Sequence, residues 1–73
     1  MSLLIGLKQQ YNESLIRLKK AEAFMDGPAP IEEKEKWQPE FQSIIEKREN
    51  LYDYIKQTGY VMTPDEIENG FNL

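Results

Sequence analysis

Apolar residues recur at alternating intervals of three and four along residues 3–26, which is the period of one face of an α-helix. This first seam consists of Leu4, Leu7, Tyr11, Ser14, Leu18, Ala21 and Met25. The same spacing continues in a second seam that consists of Trp37, Phe41, Ile44, Arg48, Leu51 and Ile55. Such a repeat is typical of helices that pack against each other as in a coiled coil. The pattern therefore predicts two long helices with facing apolar seams.

The two periodic stretches are separated by the sequence Asp-Gly-Pro-Ala-Pro at residues 26–30. Glycine is favoured just after a helix because it adopts positive φ, and proline does not continue a helix. We therefore expect an antiparallel hairpin with helices at about 3–26 and 31–58. Pro39 lies inside the second helix and is expected either to kink it or to break it, with the kink favoured.

A start signal for a short third helix follows an apolar and extended stretch at residues 60–62. Thr63 is a favourable N-cap, Pro64 fits the first turn, and Glu66 is placed to complete a capping box. The helix is expected at about 64–69. The whole chain is thus predicted to be one all-α domain, residues 1–73, with a two-helix hairpin and a short C-terminal helix.

Several apolar residues fall outside the two seams. Ile5 and Ile16 lie about 140 to 160° around the first helix from its seam at 100° per residue. A chain of this length without disulfide or metal usually needs another source of stability, so we expect a homo-oligomer, with a dimeric four-helix bundle favoured. The candidate interface residues are Ile5, Ile16, Ile45, Tyr52, Tyr54, Tyr60, Met62 and Phe71. Those near the C-terminus either pack within the fold or the dimer, or bind another protein.

The chain contains neither histidine nor cysteine. This composition excludes disulfides, thiol nucleophiles and zinc clusters, and it leaves no side chain with an ordinary pKa near neutrality. Acidic side chains near residues 32–35 and 65–68 lack the spacing of a calcium loop. We therefore expect no enzyme, no catalytic residue, no metal site and no cofactor.

Acidic residues outnumber basic ones by 13 to 9, and the formal net charge is -4. Nucleic-acid binding needs clustered Lys and Arg to neutralise phosphates, so no nucleic-acid partner is expected. The apolar runs are much shorter than the roughly 18 to 20 residues of a membrane-spanning helix. With no recognisable signal peptide either, the sequence predicts a soluble cytoplasmic protein without a membrane partner.

Arg48 occupies a seam position where leucine is expected. One interpretation is an anion or small-ligand site formed with Tyr11 on the first helix. The other, which we favour, is structural. Arg48 then stacks on Tyr11, pairs with a carboxylate or extends its guanidinium to solvent, and so sets the register of the helices. Two functions follow: a self-associating protein-interaction module, and alternatively a ligand-sequestering protein.

Three stretches resemble small uncharacterised proteins of prophages and conjugative elements of Gram-positive bacteria. They are Lys-Trp-Gln-Pro-Glu-Phe at 36–41, Gly-Tyr-Val-Met-Thr-Pro-Asp-Glu-Ile at 59–67, and Asn-Gly-Phe at 69–71. The resemblance implies a bacterial cytoplasm and a mobile-element origin. In that setting small acidic helical proteins often act as inhibitors or accessory factors. It implies no activity and no site residue.

Overall fold

Three helices form the protein in a computed structural model that describes residues 3–73; Met1 and Ser2 lie outside this range. They are α1 (Leu3–Asp26), α2 (Ile31–Gln57) and α3 (Pro64–Asn69). The two long helices pack against each other as a hairpin, and residues 3–73 contain no strand. The predicted all-α hairpin with a short C-terminal helix is confirmed.

The loop at residues 27–30 closes the hairpin without the positive φ predicted for Gly27. Positive φ occurs instead at Gly59 and Gly70. The backbone N–H of Gly27 donates to the Phe24 carbonyl over 3.2 Å. A Cβ at position 27 would lie 3.0 Å from the Ala23 carbonyl oxygen. A small residue is therefore favoured here by the close approach of the preceding helical turn rather than by φ.

Helix α2 continues through Pro39 from Ile31 to Gln57. The alternative of a break at this proline is therefore wrong. Proline removes one intrahelical hydrogen bond. The apolar positions on both sides keep one phase, since Trp37 and Phe41 are four residues apart, so the apolar face of α2 is continuous across the defect.

The hydrophobic core lies at the open end of the hairpin, where α1 begins and α2 ends. Its buried members are Tyr11, Leu15, Leu51, Ile55 and Phe71. Half-buried apolar side chains surround them, namely Leu4, Leu7, Tyr52, Tyr60 and Met62. Residues 60–71, which we term the C-terminal segment, thus fold back and form a third wall of the core at this end.

The closed end of the hairpin, beside the loop at residues 27–30, is packed differently. Trp37 is 47% exposed, and Phe41 and Ile44 are only half-buried. Trp37 shares a groove with Ala21 of the first seam, but the facing seams do not close over its ring. Two helices cover only one side of each other's apolar faces. Leu51 and Ile55, on the same stripe of α2, are buried because the C-terminal segment covers them at the open end.

Candidate functional site

The C-terminal segment is held on α1 by hydrogen bonds from side chains to its backbone. Asn12 donates from Nδ2 to the Phe71 carbonyl over 2.9 Å, and the Phe71 N–H donates to Asn12 Oδ1 over 2.6 Å. The Tyr11 hydroxyl donates to the Ile67 carbonyl over 2.6 Å. Since both polar groups of the Phe71 backbone are satisfied by one side chain, Asn12 fixes the position of this residue. We term this pair the Asn12–Phe71 lock.

Aromatic rings complete the attachment of the segment. The ring of Phe71 meets those of Tyr11 and Tyr60 edge to face, with centroids 5.7 and 5.9 Å apart. The Lys8 ammonium lies 4.0 Å from the Tyr60 centroid and 5.0 Å from that of Phe71. Such contacts add to the burial of the rings. Two residues of α1, Lys8 and Tyr11, therefore form one cluster with Tyr60 and Phe71 of the segment.

This arrangement divides the predicted interface residues into two groups. Phe71 is 8% exposed, and Tyr52, Tyr60 and Met62 pack half-buried around the core. For Tyr60, Met62 and Phe71 the alternative of packing within the chain describes the structure, and Tyr52, predicted at a dimer interface, also packs against this core. The other group consists of Ile45, which is half-buried, and of the exposed Ile5, Ile16 and Tyr54. That group remains available to a partner.

The predicted capping box at the start of α3 is confirmed. The Glu66 N–H donates to Thr63 Oγ1 over 3.2 Å, and the Thr63 N–H donates to Glu66 Oε1 over 3.0 Å. The Tyr60 hydroxyl donates to Glu66 Oε2 over 2.7 Å. The Thr63 N–H and then the Tyr60 hydroxyl lower the pKa of Glu66 below its ordinary 4.5. The bond to Glu66 in turn raises the pKa of Tyr60 above 10.0.

These pKa shifts predict that acid loosens the C-terminal segment. The folded pKa of Glu66 is below the unfolded value, so its stabilising effect is present above pH 4.5 and is lost as pH falls through the folded pKa. The pKa of Tyr60 is shifted in the opposite direction. The stabilising effect of its hydroxyl is therefore present below pH 10.0 and is lost as pH rises through the folded pKa. We expect the Tyr60 ring signals in NMR to move toward unfolded values in acid.

Glu66→Gln keeps a capping-box side chain without its titration, so this variant should lose the acid dependence. Glu68→Gln, an exposed substitution in the same helix, should retain it. Equal acid profiles for wild type and Glu66→Gln would contradict the assignment.

Arg48 and Tyr11 are brought together, as the sequence predicted. They line a cavity of ≈ 390 Å³ with Glu49, Tyr52, Asp53 and Ile67. The Arg48 Nε is buried and has no hydrogen-bond partner. Burial raises the pKa of Tyr11, and the nearby Arg48 guanidinium only partly offsets this. Tyr11 therefore stays a neutral donor to the segment, and the carboxylates of Glu49 and Asp53 line the same cavity as Arg48.

The closed end of the hairpin carries an open apolar groove. We term it the closed-end groove, of ≈ 400 Å³, and its lining residues are Lys20, Ala21, Phe24, Met25, Trp37, Glu40, Phe41 and Ile44. Its walls are almost wholly apolar, while the charged Lys20 and Glu40 belong one to each helix. An exposed aromatic in such a groove is typical of a protein contact site.

A second depression continues this groove toward the open end. This charged groove is lined by Gln10, Glu13, Ser14, Arg17, Glu40, Ser43, Ile44 and Lys47. The two grooves share Glu40 and Ile44. Arg17 lies about 140° around α1 from Asn12 at 3.6 residues per turn, so the grooves and the C-terminal segment occupy different sides of the hairpin.

Within residues 3–73 no group of three or more Asp or Glu side chains is placed to hold a metal ion. No helix in the same range is long and apolar enough to cross a membrane. Comparison with protein-family models, with curated proteins and with solved structures found no match to this chain. The function is therefore argued from the geometry of the grooves and the C-terminal segment.

Sequence reasoning missed Lys8, Asn12 and Gly70 as the residues that hold the segment. Asn12 was detectable as a polar residue between Ile5 and Ile16 on the outer stripe of α1. Its role depends on a backbone partner 59 residues away, for which periodicity gives no signal. The closed-end groove was missed because its apolar residues were assigned to the two facing seams, and their spacing does not show how fully the seams cover each other.

Proposed function

We propose that this protein is a non-catalytic, helical protein-interaction module that associates with itself through the closed-end groove. The observation that carries the proposal is the exposure of Trp37 beside Phe41 in a groove that no other part of residues 3–73 fills. Large aromatics in partly open apolar pockets supply much of the binding free energy at protein interfaces. The core occupies only the open end of the hairpin. Burial of the apolar closed end in a dimer therefore adds stability that a chain of this size needs.

A non-catalytic role agrees with the use of the polar groups. The Tyr11 hydroxyl donates to a backbone carbonyl, and both Glu66 oxygens accept hydrogen bonds within the segment. Histidine and cysteine are absent from the sequence. Polar side chains with satisfied structural bonds are poorly placed for proton transfer or nucleophilic attack.

Binding of a different protein is the second function that we propose for this module. The exposed Ile5 and Ile16 lie outside the core and outside both grooves, so a partner bound there leaves self-association intact. Tyr54 is also exposed, but it lies about 20° around α2 from Lys47 and therefore on the grooved side. An accessory or inhibitory role in a mobile element remains a prediction from the resemblance alone.

The ligand-sequestering alternative is less well supported by the cavity around Arg48. The unpartnered Nε favours an acceptor ligand there. Glu49 and Asp53 line the same cavity and oppose an anion by like charge. We therefore favour Arg48 as a residue that sets helix register over Arg48 as an anion ligand.

Removing the exposed tryptophan should weaken self-association. For Trp37→Ala we expect the dimer dissociation constant to rise at least about tenfold, because truncating a buried interface aromatic costs about 2 kcal/mol. Light scattering across a dilution series, with circular dichroism on the same samples, measures mass and helix content together. Ile31→Ala is the control, since Ile31 is exposed on α2 but does not line the groove. A wild type that stays monomeric at high concentration would refute self-association.

A further inference from the structure

Along the two adjoining grooves, the order of basic and acidic residues on α1 is the reverse of the order on α2. On α1 the basic Lys20 and then Arg17 lie toward the closed end, and the acidic Glu13 lies toward the open end. On α2 the order is reversed, with Glu40 toward the closed end and Lys47 toward the open end. Lys20 lines the closed-end groove, Glu13 and Lys47 line the charged groove, and Glu40 lines both. In an antiparallel hairpin that turns at residues 27–30, Lys20 lies at about the level of Glu40 and Glu13 at about the level of Lys47.

From this order we infer that the partner in the grooves is a second copy of the chain in a parallel orientation, with both closed ends together. The inference rests on the proposed self-association and specifies its geometry. A two-fold axis along the hairpin places α1 of one copy over α2 of the other at the same level. Lys20 then meets Glu40 of the second copy, and Glu13 meets Lys47 of the second copy. Each contact occurs twice.

The parallel orientation also matches apolar with apolar surface. The closed-end groove of one copy covers that of the other, so Trp37 and Phe24 leave water on both sides of the axis. The opposite orientation, with the two-fold axis across the hairpin and full overlap, lays each apolar groove on the charged groove of its partner. That arrangement desolvates Glu13, Arg17 and Lys47 against apolar side chains, which is unfavourable.

The area available fits a modest but specific dimer. The molecule measures 43 × 20 × 19 Å. A copy that covers the full side of the hairpin approaches the roughly 800 Å² per partner of a standard interface, and one that covers only the grooves buries less. The C-terminal segment occupies another side of the hairpin, so the dimer forms without displacing it.

Two complementary single variants test the pairing of α1 with α2 of the second copy. Lys20→Glu places acid against Glu40 in its homodimer, and Glu40→Lys places base against Lys20. Each homodimer should weaken. When the two variants are mixed, both contacts in the heterodimer join opposite charges, so the heterodimer should be about tenfold tighter than either homodimer. Native mass spectrometry with one variant isotopically labelled counts the three species. Charge contacts inside each chain do not change on mixing.

The control pair is Lys19→Glu with Glu46→Lys, two exposed charges that do not line either groove. This mixture should give the statistical distribution of species. A spin label on Ala29→Cys, in a chain without other cysteines, measures the distance between the two closed ends. The parallel dimer predicts a distance near the width of the molecule.

The outcomes separate the two proposals. A wild type that never exceeds monomer mass overturns self-association itself. Two results would support self-association but overturn the parallel geometry. One is a statistical mixture of the charge variants, and the other is a distance between the labels of about one hairpin length, 43 Å. Heterodimer preference together with neighbouring closed ends supports the inference.

Discussion

Replacing Ile55 with alanine is expected to lower the free energy of unfolding by about 3 to 4 kcal/mol, the largest loss among the substitutions considered. Ile55 is 0% exposed and contacts the core that joins both long helices to the C-terminal segment. Alanine removes three carbons and leaves a cavity that three surrounding elements fill only partly. Urea unfolding followed by the fluorescence of Trp37 measures the loss.

The matched control is Ile16→Ala, which changes the same residue type in the middle of α1. Ile16 is 56% exposed, and alanine is the better helix former, so the free energy of unfolding should change by less than about 0.5 kcal/mol. Equal losses at both positions would show that Ile16 is buried in an assembly and that the core is not confined to the open end.

The second large effect is expected at Gly70, where alanine should lower the free energy of unfolding by about 3 kcal/mol. Gly70 has φ +88 and ψ -174, a conformation that residues with a Cβ rarely adopt. The added Cβ would lie 2.5 Å from Asn12 Oδ1 and 3.3 Å from a Leu15 methyl carbon. Asn12 must therefore move, and the Asn12–Phe71 lock loses its two hydrogen bonds. Hydrogen exchange of the Phe71 amide reports the loss directly.

Gly59→Ala separates backbone strain from the loss of the lock. Gly59 has φ +93, but a Cβ there meets nothing within 4 Å. Its substitution should therefore cost only about 1 to 2 kcal/mol from the left-handed backbone and should leave the Phe71 amide protected. Equal costs and equal exchange in the two variants would refute the role assigned to Asn12.

Local signals in the sequence predict the helices and their caps well. The spacing of seam residues such as Leu18 and Leu51 repeats within each helix, and the Thr63 and Glu66 capping box involves residues three apart. The break or kink at Pro39 was harder to decide, because a proline's lost hydrogen bond is weighed against the packing of the whole face. In the structure α2 is continuous through Pro39.

Features that depend on how the C-terminal segment covers the hairpin were not predictable from these patterns. Periodicity places Trp37 and Ile55 on one stripe of α2, and it contains no information about which end of that stripe is covered. The C-terminal segment covers Ile55 and leaves Trp37 exposed. The closed-end groove and the charge order of its walls follow from that uneven cover, so they emerged only with the structure.

The distance along the chain between the partners of the Asn12–Phe71 lock has a consequence for the order of folding. The two residues are 59 positions apart, so closing this loop in an unfolded chain carries a large entropic cost. Once the hairpin has formed, Ile55 already lies beside the start of α1, and the loop that remains is about 16 residues long. The shorter loop reduces the closure cost by about 1 kcal/mol. We therefore expect the hairpin to precede the lock on the folding pathway, and the lock to be the first cooperative unit to open under mild denaturation.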